Sequence, residues 1–293
     1  MLTMLARSGC GFGRPVVALV AVAMLMAALP APASGATEAY WRFENGQANQ
    51  AATGIGTILD SSGNGLNSTP QNGPVYRTLV PDSLVPQTGA GNGLALEFNG
   101  TSQGLILSDT PGLALTHGLT LEAYICPHAI RSQIVVIRGD ARSAIDPYYL
   151  AQEGTNLTFA ITKAGDTQPT VRVMTPVPAV NTWMHVAGTL DDATGQMSIY
   201  IDGVLKSSTI TTARPFGALQ AGQYPGISIG TLSRNEQGWF DGMIDEVRIS
   251  DVALTPEQFL NTPEPATVSL LALGGLAMLR RKAAKCNLGT PHQ

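Results

Sequence analysis

The chain has 293 residues, of which only 13% are charged, and its formal net charge is −4. Such a chain has no basic excess to neutralise phosphates, which argues against nucleic acid as a partner. Its 32 glycines and 19 prolines, with Ser, Thr and Asn between short apolar runs, fit a turn-rich β protein rather than a helical one. Of three cysteines, only Cys126 falls in the central region, so no disulfide framework is expected and Cys126 reads as a small buried hydrophobe.

In chain order, Arg7 and Arg14 precede an apolar stretch over 16–29. Ala31-Pro32-Ala33 and Ser34-Gly35-Ala36 follow. A basic start, a short apolar segment and small residues at −3 and −1 describe a secretory signal peptide over 1–36. Cleavage after Ala33 and cleavage after Ala36 both fit. Cys10 lies before the apolar stretch and is no lipoprotein cysteine. The chain is therefore expected to be secreted through the general export pathway.

Residues 37–262 read as one domain of short strands. The segments 39–44, 93–98 and 104–108 come first. In 119–125 the alternation puts Leu119, Leu121, Ala123 and Ile125 on one face. Further strands are expected over 133–138, 148–152, 156–162 and 170–174. The run 183–190 opens a meander with 196–201 and 204–209, turned by Asp192-Ala193-Thr194-Gly195 and then by Asp202-Gly203. The second turn is a two-residue hairpin signal that requires positive φ. Strands over 227–230 and 240–250 close the set. The Gly/Asn/Pro-rich stretches 45–75 and 80–92 read as long loops. Thr255-Pro256-Glu257 begins the one convincing helix, a short one ending at Leu260. About a dozen antiparallel strands in one unit predict an all-β fold, a two-sheet antiparallel jelly-roll sandwich.

Residues 263–293 form a tail. Pro263-Glu264-Pro265 precedes an apolar run over 268–279, then Arg280, Arg281 and Lys282. A permanent span needs about 20 apolar residues, and this run is shorter. Its terminal cations resist translocation. It reads as a transient, processed anchor, so membrane contact is expected only through the tail before processing. The arrangement resembles the PEP-CTERM sorting signal. The resemblance implies cleavage by an exosortase-type enzyme, and a place at the envelope, surface or extracellular matrix of a Gram-negative bacterium. Residues 283–293 extend past Lys282, where that family usually stops soon after its arginines.

A second resemblance spans nearly the whole domain. Its residues are Tyr40-Trp41-Arg42-Phe43-Glu44, then Asp60-Ser61-Ser62-Gly63-Asn64-Gly65 and Ala95-Leu96-Glu97-Phe98-Asn99-Gly100. Leu119–Ile125 and Trp183–Asp191 continue it, and Phe240-Asp241-Gly242-Met243-Ile244-Asp245-Glu246-Val247-Arg248-Ile249 closes it. In order, these resemble a laminin-G-like domain of the concanavalin A-like lectin/glucanase group. The resemblance implies the fold; it leaves function open, because that fold carries lectins, enzymes, adhesins and structural modules.

The candidate sites follow from residue chemistry. Glycosidases need two carboxyl groups aimed at one bond. Here Asp245 and Glu246 are adjacent and are expected to point to opposite faces. Glu97 and Glu122 alternate against apolar faces and point away from the core. No catalytic residues are expected; a glycoside hydrolase or polysaccharide lyase is the alternative. His185 is expected half-buried beside Trp183. Asp60 and Asn64, in a loop rich in oxygen donors, suit a structural Ca²⁺. Asp245 is added through the strand pairing that the resemblance implies. Tyr148, Tyr149 and Trp239 are candidates for stacking on sugar. The expected function is a non-catalytic binding or structural module that recognises polysaccharide or other surface proteins.

Overall fold

The computed structural model describes residues 36–140, 145–163, 170–220, 226–232 and 238–263. The signal segment through Ala33 and the tail from Glu264 and Pro265 onward lie outside the described residues. Ala36 and Pro263, at the two ends, are exposed. Among the described residues no helix is long and apolar enough to cross a membrane.

The strands are β1 (Thr37–Trp41), β2 (Thr69–Gln71), β3 (Val75–Arg77), β4 (Ala95–Asn99), β5 (Gly104–Ser108), β6 (Leu119–Pro127), β7 (Gln133–Gly139), β8 (Tyr148–Glu153), β9 (Asn156–Thr162), β10 (Thr170–Pro176), β11 (Met184–Leu190), β12 (Gln196–Ile201), β13 (Val204–Ile210), β14 (Gly226–Ile229) and β15 (Asp241–Ser250). They form two antiparallel sheets. One has eight strands in the order β13-β12-β11-β6-β15-β4-β3, with β1 also paired to β15. The other has seven in the order β10-β9-β8-β7-β14-β5-β2. This is the predicted jelly-roll sandwich.

The main core lies between the sheets. Leu119, Leu121, Ala123 and Ile125 of β6 face Leu150, Phe159 and Ile161 of the smaller sheet's side of that core, as their alternation requires. Gly188 on β11 is needed here: a Cβ would overlap the Phe159 ring from the opposite sheet. The Asp202-Gly203 turn has φ of 53° and 75°, the two positive values its sequence demands.

Two expectations need correction. The stretch 45–75 contains β2 and the start of β3, three-residue strands too short to show a period. The expected helix is a single 3₁₀ turn, Pro256–Gln258, closed by a Thr255/Gln258 capping box. It belongs to a strap, residues 252–263, that crosses the outer face of the larger sheet. Leu254 and Phe259 pack there on Ala187 and Tyr200, and Leu260 packs on Tyr40, Val85 and Tyr124. All nine residues of β6 are consequently buried, on both faces.

Candidate functional site

The smaller sheet carries an open pocket of about 570 Å³ on its outer face. Strand pairing builds its floor. Ile137, Tyr149, Ala160 and Arg172 stand side by side on β7, β8, β9 and β10. Ile137, Tyr149, Ala151 and Ala160 form a buried apolar cluster, joined by Ile134 and Leu232. Ala160 is small, so Arg172 reaches across it, and its Nε donates to the Tyr149 hydroxyl at 3.1 Å. That hydroxyl donates in turn to Glu153 Oε1 at 2.7 Å. Glu153 Oε2 accepts from Thr158 Oγ1 at 3.3 Å and lies 3.4 Å from Arg172 Nε. Burial, then the Glu153 bond, pushes the Tyr149 phenol well above its ordinary value, so it stays a hydroxyl at neutral pH.

The wall beside this row is a pair of buried amides. Gln133 Nε2 donates to Gln152 Oε1 at 3.0 Å, and Gln133 Oε1 accepts the Asp241 N–H at 3.0 Å. These bonds fix the wall. Asp146 lines the pocket at the opposite end of β8 from Glu153.

A second polar group lies on the outer face of the larger sheet, sealed by the strap and by loop 82–92. Glu122 is fully buried. It accepts from Arg248 Nε at 2.7 Å and from the Leu260 N–H at 2.9 Å, and its Oε2 lies 2.8 Å from His185 Nε2. Burial alone would raise its carboxyl; Arg248, His185 and the Leu260 amide outweigh that and hold it below the usual range. Beside it, Asp245 Oδ2 accepts from Asn92 at 2.9 Å. Glu246 accepts from the Tyr40 hydroxyl and from Arg42 Nε. Burial, then mutual repulsion with Glu246, raises the Asp245 carboxyl well above its ordinary range.

Residues 99–259, more than half the chain, match the Laminin_G_3 family, described as the concanavalin A-like lectin/glucanases superfamily. The chain belongs to that superfamily. Among solved structures, it is similar to domain 4 of AbnA, an extracellular GH43 arabinanase of Geobacillus stearothermophilus, determined in complex with arabinotriose. There the TM-score is 0.54 at 21% identity, over 78% of this chain and 97% of that one. It is also similar to the binding domain of Paraclostridial Mosquitocidal Protein 1, with TM-score 0.52 at 14% identity over 73% of this chain. The binding domain of botulinum neurotoxin serotype G gives TM-score 0.52 at 12% identity over 77% of this chain. The match spans about 50% of each toxin domain's length. At these identities the likeness shows the fold alone. No curated protein sequence matches the chain.

On this superfamily scaffold the predicted residues separate. Tyr149 lines the pocket, while Tyr148 points into the core and donates to the Leu113 carbonyl at 2.7 Å. Trp239 is half-buried and follows Gly238, which lines the pocket. Asp60 accepts four hydrogen bonds, from Tyr40 N, Ser62 N, Ser62 Oγ and Leu66 N. Asn64 donates to the Thr37 and Glu38 carbonyls. Asp245, with Asn92 and the Glu246 N–H as its partners, shares none with either. Among the described residues no group of three or more His, Cys, Asp or Glu could hold a metal ion.

Two further expectations are corrected. Asp245 and Glu246 do not face opposite ways, because a β-bulge sets Glu246 at φ 50° and turns both carboxylates to the outer side. His185 is not half-buried; it is sealed against Glu122, with Tyr124 and Phe259 on its ring. Glu153 and Arg172 escaped the sequence reading. The one signal for Glu153 is its spacing of four from Tyr149, which puts both on one face of a strand.

Proposed function

We propose that the chain is an exported, non-catalytic carbohydrate-binding module, and that its site is the pocket over β7–β10. The carrying observation is the pocket's make-up, an apolar floor with an anchored tyrosine beneath a few fixed polar groups. That combination suits a sugar, which presents C–H faces and hydroxyl edges. A domain of the same fold in an arabinanase was determined with arabinotriose, which is the ligand class proposed here. The terminal signals support export followed by exosortase-type processing, which would leave the module at the surface or in the matrix.

Two features support binding over turnover. Glycosidic hydrolysis needs a pair of carboxyl groups about 5–10 Å apart, and of the two acids that line the pocket Asp146 precedes β8 while Glu153 ends it. The acids that do gather, Glu122, Asp245 and Glu246, are fully buried under the strap and loop. The test is a glycan array on the native protein and Arg172→Ala, with a reducing-sugar assay alongside. Losing a hydrogen bond to a charged group is expected to weaken binding about ten- to a hundredfold. Equal binding by Arg172→Ala would refute the site, and release of reducing ends would refute the non-catalytic reading.

A further inference from the structure

We infer that the pocket selects sugars by two free hydroxyls on neighbouring ring carbons, one donating to Glu153 and the other accepting from Arg172. The inference rests on the carbohydrate-binding reading above and names the feature of the sugar that the site reads.

The two side chains are joined before any ligand arrives. The Tyr149 hydroxyl accepts from Arg172 Nε at 3.1 Å and donates to Glu153 Oε1 at 2.7 Å. Arg172 Nε and Glu153 Oε2 lie 3.4 Å apart. The Tyr149 ring is buried with Ile137, Ala151 and Ala160, so the junction stands on a packed base. Thr158, on the neighbouring strand β9, donates to Glu153 Oε2 at 3.3 Å. Side chains held in this way have little freedom left to lose on binding.

Each of the pair keeps bonding capacity toward the pocket it lines. The Glu153 side chain is 34% exposed and that of Arg172 43%. A carboxylate oxygen accepts at both of its lone pairs. Glu153 Oε1 spends one on Tyr149 and keeps the other, while Oε2 serves Thr158 and Arg172. Arg172 meets Tyr149 and Glu153 through Nε, which leaves the N–H groups of both Nη atoms on the outer edge of its planar fork. A free acceptor and free donors thus stand side by side.

That pairing fixes what a ligand must offer. A hydroxyl both donates and accepts. Hydroxyls on neighbouring ring carbons also stand side by side, so one meets Glu153 while the other meets Arg172. Equatorial hydroxyls with a carbon between them point apart and do not span the pair. The apolar floor takes the C–H face of the same ring. Linkage therefore matters more than the identity of the sugar. In a xylan linked one-to-four, every internal residue keeps its second and third hydroxyls, which are neighbours. In a xylan linked one-to-three, the internal residues keep only the second and fourth.

Depletion isotherms of the full chain on these two insoluble xylans test this. Both are neutral polymers of the same sugar, and chain ends are rare in either. The one-to-four polymer is expected to bind at least about tenfold more tightly, the effect of one hydrogen bond to a charged group. Glu153→Gln keeps an acceptor for Tyr149 but removes the charged acceptor for sugar. Arg172→Lys keeps the positive charge but not the fork. Each is expected to bring the two affinities toward equality, with a thermal melt confirming that the variant is folded. Equal native binding of the two xylans, or tighter binding of the one-to-three polymer, would overturn the inference and leave the carbohydrate-binding reading standing. A native preference that persists unchanged in both folded variants would do the same. If neither xylan binds, a wider polysaccharide panel decides. Binding confined to polymers with neighbouring free hydroxyls supports the inference, and binding of a polymer that lacks them overturns it. No binding at all would sink both readings.

Discussion

The Glu122 carboxylate, midway along β6, accepts the backbone N–H of Leu260 at 2.9 Å. That bond ties the most enclosed strand of the larger sheet to the strap that ends the described chain. The same carboxylate is paired with Arg248 and His185, so one buried acid holds β6, β11, β15 and the strap together.

Glu122→Gln is therefore expected to be costly. It leaves the Arg248 side chain, only 11% exposed, without its counter-charge. Breaking a buried pair on one side costs about 3–5 kcal/mol. The folded Glu122 carboxyl is depressed, so its contribution is present above the unfolded value and is lost as pH falls through the folded one. Denaturant unfolding at pH 7 and pH 3 should show a large deficit that shrinks in acid. Equal stability at pH 7 would rule out this role for Glu122.

Asp245 is expected to behave oppositely. Its folded carboxyl is raised, first by burial and then by Glu246, with Glu44 adding to the repulsion. A raised carboxyl contributes stability that is complete below the unfolded value and is lost as pH rises through the folded one. At neutral pH Asp245 thus weighs against the fold. Asp245→Asn removes the charge and keeps an acceptor for the Glu246 N–H, and once the Asn92 amide turns over, the new amide donates to Asn92 Oδ1 in place of the Asn92 Nδ2–Asp245 Oδ2 bond. Thermal melts should show the variant more stable at pH 7 and not at pH 3; a lower melting temperature at pH 7 would count against it.

Asp60 tests what holds the loop over 60–66. Its carboxylate is occupied by four donors from the chain. Burial alone would raise the carboxyl, yet these bonds hold it below its ordinary value. Asp60→Ala strands several of those donors and is expected to cost about 1–3 kcal/mol. The deficit should be the same in EDTA and in millimolar Ca²⁺. A calcium-dependent rise in melting temperature, present in the native protein and absent in Asp60→Ala, would instead assign Asp60 to the calcium site expected from the sequence.

What the sequence reveals here is whatever has a local period or a turn signature. The alternation of β6 and the Asp202-Gly203 hairpin are both found as predicted, because each is fixed by neighbours in the chain. β2 and β3 are too short for a period. The shared side of Asp245 and Glu246 depends on a bulge at Glu246, where a non-glycine residue adopts positive φ and strict alternation fails. The sealing of Glu122 and His185 comes from Phe259 and Leu260, far along the chain. The pocket is half legible. Tyr149 stands out as an aromatic residue, but its junction with Arg172 exists only through the pairing of β8, β9 and β10.

The ends of the domain bear on processing. The Ala36 carbonyl accepts the Asp251 N–H at 3.2 Å, just outside the pairing of Thr37 with Ser250. Cleavage after Ala36 would delete that acceptor and leave a charged amine at the first ladder residue. Cleavage after Ala33 keeps the bond and leaves three residues of slack. At the other end the Thr262 N–H donates to the Phe259 carbonyl at 3.0 Å, and Pro263 is exposed. A cut at or just beyond Pro263-Glu264-Pro265 leaves every strap contact in place. Intact-mass measurement of the protein recovered from the cell surface is therefore expected to give an N-terminus at Ser34 and no residues beyond Pro265. A start at Thr37 would show that the Ala36 bond does not matter for the mature fold. Recovery of peptides from 280–293 would show that the tail is retained, and with it a membrane attachment that the exported-module reading does not include.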